Sequence, residues 1–205
     1  MRNGAALIAF AAVALASCGG PAPSAQNAAQ PQLLDRNKVI SERWQKLFTQ
    51  PDKVVAALNE FALKNRPFAA TGRAPAFESR GEDFNLSYKR DKTSNSVSAV
   101  ASGPDANHVD KLVFTFNMTD LNDRRRSNES FRKVVVGMLS RFDVSPEDPV
   151  KLAIASEKPV DTPILGAHGT VEKLPIAGAD IAKQYRIVVT ITPPRAKAAL
   201  APGAQ

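Results

Sequence analysis

The residue types that most often carry chemistry are sparse in this chain: His108, His168 and a single cysteine, Cys18, in 205 residues. His108 follows the turn-forming stretch Gly103-Pro104-Asp105-Ala106-Asn107, and His168 sits in Gly166-Ala167-His168-Gly169. Two imidazoles so far apart form a metal pair, or a base beside a nucleophile, only if the fold joins them; the expectation for each is a solvated loop histidine. No HExxH, CxxC or GxSxG motif and no phosphate-binding glycine loop occurs, so the sequence names no catalytic residue, no metal site, no cofactor and no enzyme class. Glu147 and Asp148 fall at the start of an expected helix, where the macrodipole favours acidic side chains; Glu129 and Asp143 read the same way. Arg124-Arg125-Arg126 is the one basic run and lies near Asp120 and Asp123. It is a candidate contact for an anionic partner such as headgroups, phosphates or an acidic protein. The competing expectation is a solvated loop offset by its aspartates.

The cysteine has a more specific context. Arg2 precedes an unbroken apolar run, Ala5 to Ala16, that has the length of a signal-peptide core and is too short to span a bilayer. The run ends in Leu15-Ala16-Ser17-Cys18, which resembles the lipobox of bacterial lipoproteins. The resemblance implies that signal peptidase II recognises Leu15, Ala16 and Ser17 and cuts before Cys18. It also implies a diacylglycerol on the Cys18 sulfur and a further acyl chain, such as palmitate, on the new amino terminus. Several chains, each contributing about 0.8 kcal/mol per buried CH₂, would hold the protein on a membrane. Gly19 and Gly20 follow where an aspartate retains many such proteins in the inner membrane. The family therefore points to the outer membrane, facing the periplasm.

The remaining composition fits that address. One cysteine excludes an intramolecular disulfide. The net charge of +7 is scattered apart from the arginine run, and export argues against nucleic acid as a partner. Expected segments are a signal peptide at 1–17, a lipidated cysteine with a flexible Gly/Pro/Ala/Gln tether at 18–34, one domain at 35–193 and a disordered tail at 194–205.

Hydrophobic spacing gives the elements that must position any site. Ile40, Trp44, Leu47 and Phe48 share one helical face, predicting a helix from Arg36 to Phe48. Pro51 opens a second helix reaching Lys64. Residues 65–82, with two prolines and two glycines, read as a loop. Strands are expected at Phe84–Arg90, Ser96–Ser102 and Lys111–Met118, the last with Leu112, Phe114, Phe116 and Met118 on one face. Phe131, Val134, Val135, Met138, Leu139 and Phe142 predict a helix from Asn128 to Phe142, and a short helix follows to Ser156. Strands near Ile164–Leu174, broken at Gly166 or Gly169, and at Tyr185–Thr192 complete the order α-α-β-β-β-α-α-β-β. The expected fold is α+β: an antiparallel sheet of about five strands with helices on one face. The functional expectation is a membrane-anchored envelope lipoprotein acting as a binding or assembly module, with an envelope protein as candidate partner. The alternative is an envelope hydrolase or a carrier of a hydrophobic ligand whose site is not visible in sequence.

Overall fold

The computed structural model describes residues 26–87 and 94–194. Helix α1 spans Gln26–Phe48 and α2 Pro51–Glu60. The first helix starts ten residues before the expected Arg36, so residues 26–34 of the segment read as a flexible tether are helical. Alanine, glutamine and leucine in this stretch are good helix formers, which composition read as linker obscured. The second helix stops at Glu60, short of Lys64, because Ala62 and Lys64 both take left-handed backbone (φ 60° and 49°). The signal segment 1–17, residues 18–25, residues 88–93 and residues 195–205 lie outside the described residues.

Among the described residues eight strands follow, not five: β1 Ala69–Ala70, β2 Phe77–Arg80, β3 Phe84–Asn85, β4 Ser96–Gly103, β5 Lys111–Met118, β6 Val160–Ile164, β7 Ala167–Pro175 and β8 Tyr185–Thr192. The stretch 65–82, expected as loop, contributes β1 and β2. The expected strand at Phe84–Arg90 contributes only β3 among the described residues. The run near Ile164–Leu174 is a hairpin of β6 and β7 turning at Gly166. Gly166 has φ 85°, and a Cβ there would lie 2.9 Å from Trp44 Cδ1, so turn and packing both select glycine. A 3₁₀ turn at Leu121–Asp123 leads into α3, Arg124–Ser140, and α4 covers Glu147–Ser156. The arginine run is thus the first turn of α3 and not a loop before it.

All pairings are antiparallel, in the order β1-β2-β4-β5-β8-β7-β6. β2 and β3 lie end to end along the same edge of β4. From Arg80↔Val100 to Phe84↔Val97 the edge takes four steps against three on β4, the extra residue of a β-bulge. After β5 the chain crosses through α3 and α4 to the far edge. It returns by two hairpins, so that β8 enters beside β5, with Leu112 opposite Ile191 and Met118 opposite Tyr185.

The core lies between one face of the sheet and the helices. Val97, Ala99 and Ala101 of β4, Leu112 to Met118 of β5 and Tyr185 to Ile191 of β8 alternate inward. They form one cluster with Trp44, Leu47 and Phe48 of α1, Leu58 of α2, Phe131, Val135 and Met138 of α3, and Val150 and Ile154 of α4. Phe116 stacks on Phe131 with ring centroids 5.1 Å apart. Trp44, expected as core, is 1% exposed and stacks on Phe48.

Candidate functional site

With the helices on one side, the alternate residues of each strand face away from the core. Registered pairs join them into continuous rows. One row runs Arg80, Val100, Val113, Thr190, Thr170, Asp161 across β2, β4, β5, β8, β7 and β6. A neighbouring row runs Ser98, Thr115, Val188, Glu172. A third runs Ser96, Asn117, Arg186, Leu174. The centre of this face is Ser98, Val100, Val113, Thr115, Val188, Thr190 and Thr170, all partly exposed and none in the core cluster. It carries no charged side chain. Charges stand around it: Arg80 and Glu78 on β2, Lys111 and Arg186 at the ends of β5 and β8, Glu172 on β7 and Asp161 on β6. A charge-depleted centre within a charged rim is the composition of protein–protein contact surfaces. Antiparallel sheets commonly leave one face to water.

The sheet edges offer less to a partner. The β6 edge holds Pro163, which has no N–H to donate, and the charged Asp161; the β1 edge is two residues long. Short, proline-bearing and charged edges resist strand addition. Of the two docking routes a sheet provides, the face is the one this fold leaves open.

The densest polar cluster is centred on Glu157, whose side chain is 4% exposed. Its carboxylate accepts from Arg124 Nε at 2.9 Å and Nη2 at 2.7 Å, and from the Tyr185 hydroxyl at 2.5 Å. Lys173 Nζ and Asn128 Nδ2 each donate from 3.4 Å, and Lys173 also sits over the Tyr185 ring. Burial pushes the Glu157 carboxyl up, but hydrogen bonds from Arg124 and Tyr185 and the charges of Arg124 and Lys173 outweigh it, so the group stays below its usual range. Burial first, and the bond to Glu157 second, raise the Tyr185 phenol well above its ordinary value. The bond to Glu157 likewise raises Arg124. A carboxylate held ionised and a phenol held protonated do not exchange protons near neutrality. The cluster ties the start of α3 and the end of α4 to β7 and β8, and its chemistry is structural.

That geometry divides the arginine run. Arg124 is committed to Glu157, while Arg125 and Arg126 are exposed on the first turn of α3. Cationic side chains at a helix N-terminus oppose the macrodipole, and here Arg124 gains the buried carboxylate instead. Sequence reading missed Glu157, Tyr185 and Lys173 as partners because they are 28 and 16 residues from one another along the chain.

The histidines remain apart, with β5 and β8 between them. His108 Nδ1 lies 2.8 Å from exposed Asp105, whose carboxyl is lowered by the Asn107 backbone N–H and then by His108. His168 Nε2 lies 2.5 Å from Asp161 and is largely buried, a correction to the solvated loop histidine expected there. It lies on β7, on the face of the sheet away from the core cluster. No group of three His, Cys, Asp or Glu that could hold a metal ion occurs among the described residues. Glu147 accepts from the Leu165 backbone N–H at 3.0 Å, and Glu129 pairs with Lys133 one turn on. A surface cleft of about 630 Å³ between α1, α2 and the end of α3 is lined by Arg43, Lys46, Lys53 and Arg141 with Glu42 and Glu60. Arg141 and Glu60 are paired at 2.6 Å.

Leu15, Ala16, Ser17 and Cys18 lie outside the described residues, and among the described residues no helix is long and apolar enough to cross a membrane. No family model, curated protein or solved structure matches this chain.

Proposed function

We propose that the chain is an envelope lipoprotein, anchored through lipid on Cys18 at the periplasmic face of the outer membrane, whose domain is a binding or assembly module docking through its open sheet face. The observation that carries the docking half is the uncharged centre of that face within its charged rim. The lipobox-like sequence carries the anchoring half. The hydrophobic-carrier alternative needs apolar space beneath the sheet. Here that volume is filled by Phe114, Phe116, Met118, Phe131, Met138 and Leu139, all buried.

The test is chemical crosslinking in intact cells, followed by mass spectrometry. Native protein is compared with Cys18→Ala and with Val113→Lys/Val188→Lys, which puts two charges in the centre of the face. The expected result is a near-stoichiometric crosslinked species, lost in both variants while folded protein persists. Membrane association and mature mass unaltered by Cys18→Ala would overturn the anchor. A species unaffected by the two lysines would overturn the face.

A further inference from the structure

We propose that the occupant of the open face is a second copy of this chain, packed sheet against sheet about a two-fold axis running parallel to the strands between β5 and β8. This rests on reading the face as a docking surface, and the strand registers supply the argument. Rotation about that axis exchanges β5 with β8, β4 with β7 and β2 with β6. Val113 of one copy then meets Thr190 of the other, Thr115 meets Val188 and Val100 meets Thr170, all in the uncharged centre. These side chains are short and branched at Cβ or nearly so, which suits the ~10 Å spacing of stacked sheets.

The margins match in sign. Arg80, exposed and paired with Glu78 of its own strand, ends its row on β2, and Asp161, beside His168, ends the same row on β6. The same axis lays the β2 margin of each copy, where Arg66, Arg73 and Arg80 line a cleft together with Glu78 and Glu82, over the β6–β7 margin bearing Asp161 and Glu172. An axis across the strands would instead set each margin on its own copy, Arg80 on Arg80 and Asp161 on Asp161. The outward strand residues hold three cations, Arg80, Lys111 and Arg186, against three anions, Glu78, Asp161 and Glu172, although the chain as a whole is +7. Two copies can therefore meet here without stacking the excess positive charge.

The extent is sufficient. Four central strands at ~4.8 Å spacing and ~26 Å length present about 500 Å² per copy. Two copies bury about 1,000 Å² through these strands alone and about 1,300 Å² with the shorter β2 and β6, within the range of stable interfaces. Isologous two-fold contacts of this kind are the commonest in soluble oligomers.

Single cysteines test the arrangement in the full-length chain in membranes, treated with a bis-maleimide of about 10 Å span, the spacing of stacked sheets. Thr190→Cys and Thr115→Cys are expected to give a species of twice the chain's mass. The parent, and Ala155→Cys on the exposed side of α4, should not. Arg80→Asp should reduce the crosslinked fraction of Thr190→Cys at least several-fold, and adding Asp161→Arg should restore it. Loss of folding alone would not be rescued in that way. Crosslinking of both face cysteines to a different protein would overturn self-association and leave the docking reading standing. Both face cysteines taking up maleimide while the chain remains monomeric and unlinked would overturn both.

Discussion

Replacing Glu157 by glutamine tests whether its cluster is the structural tie between the two helices and the sheet. The substitution keeps size and one acceptor oxygen but removes the charge that four donor side chains, Arg124, Tyr185, Lys173 and Asn128, share. Hydrogen bonds to charged groups are each worth about 1.5–3 kcal/mol when buried. Tyr185 is 1% exposed and its hydroxyl points at the carboxylate, so that bond falls in this range. Arg124 is 51% exposed at its side chain and regains water on losing its partner, which limits its share to about 0.5–1 kcal/mol. The expected destabilisation at pH 7 is about 2–3 kcal/mol. Trp44, the only tryptophan and wholly in the core, reports urea unfolding by its fluorescence. The pH dependence carries a sign. The folded carboxyl lies below its ordinary 4.5, so its contribution is complete above that value and is lost as pH falls through the lower folded value. The gap between parent and Glu157→Gln should therefore close in acid. In a double-mutant cycle with Tyr185→Phe, the combined loss should fall about 1 kcal/mol short of the sum. A Glu157→Gln chain within about 0.5 kcal/mol of the parent at pH 7, the scatter of ordinary surface changes, would refute the reasoning.

Three further outcomes follow from other parts of the fold. Asn95 is fully buried: its side chain accepts from the backbone N–H of Thr119 and Asp120 and donates to Asp120 O and Ser127 Oγ. Asn95→Ala should cost about 2–3 kcal/mol in denaturant melts, since two backbone N–H groups lose their acceptor. A Cβ on Gly103 would sit 1.7 Å from the His108 carbonyl oxygen. Gly103→Ala should therefore cost about 3 kcal/mol and speed amide exchange in residues 104–110, because backbone and not a flexible side chain must move. At high pH an unfolded tyrosine ionises near 10 while folded Tyr185 resists, so the folded state holds the extra proton and stability falls as pH rises past that value. Ultraviolet titration should show one of the two tyrosines forming phenolate only as the chain unfolds, and Tyr185→Phe should remove that step.

Much of the layout is local and was readable. Phe131, Val134, Val135, Met138 and Leu139 are one face of α3 and are buried, and Leu112, Phe114, Phe116 and Met118 of β5 point inward as their alternation requires. The hairpin break at Gly166 follows from glycine's access to positive φ. Strands β1 and β2 were hidden for a reason equally physical. Between prolines and glycines, Phe77–Arg80 is short, and its inward Ser79 is polar; it is buried only because Asn65 donates to its hydroxyl and the same hydroxyl donates to Arg66 O. No two-residue alternation signals such a strand.

The sequence by itself determined the lipobox-like amino terminus, the amphipathic faces and the mixed α+β class, because each depends on neighbours within a few turns or a few strand residues. Tertiary structure alone decided that β8 enters between β5 and β7, that Arg124 pairs with Glu157, and that uncharged residues from four strands adjoin on one face. Those results depend on pairings across 33 to about 80 residues of chain. Periodicity says which way a side chain points, but the partner of a strand is chosen by how the whole core closes.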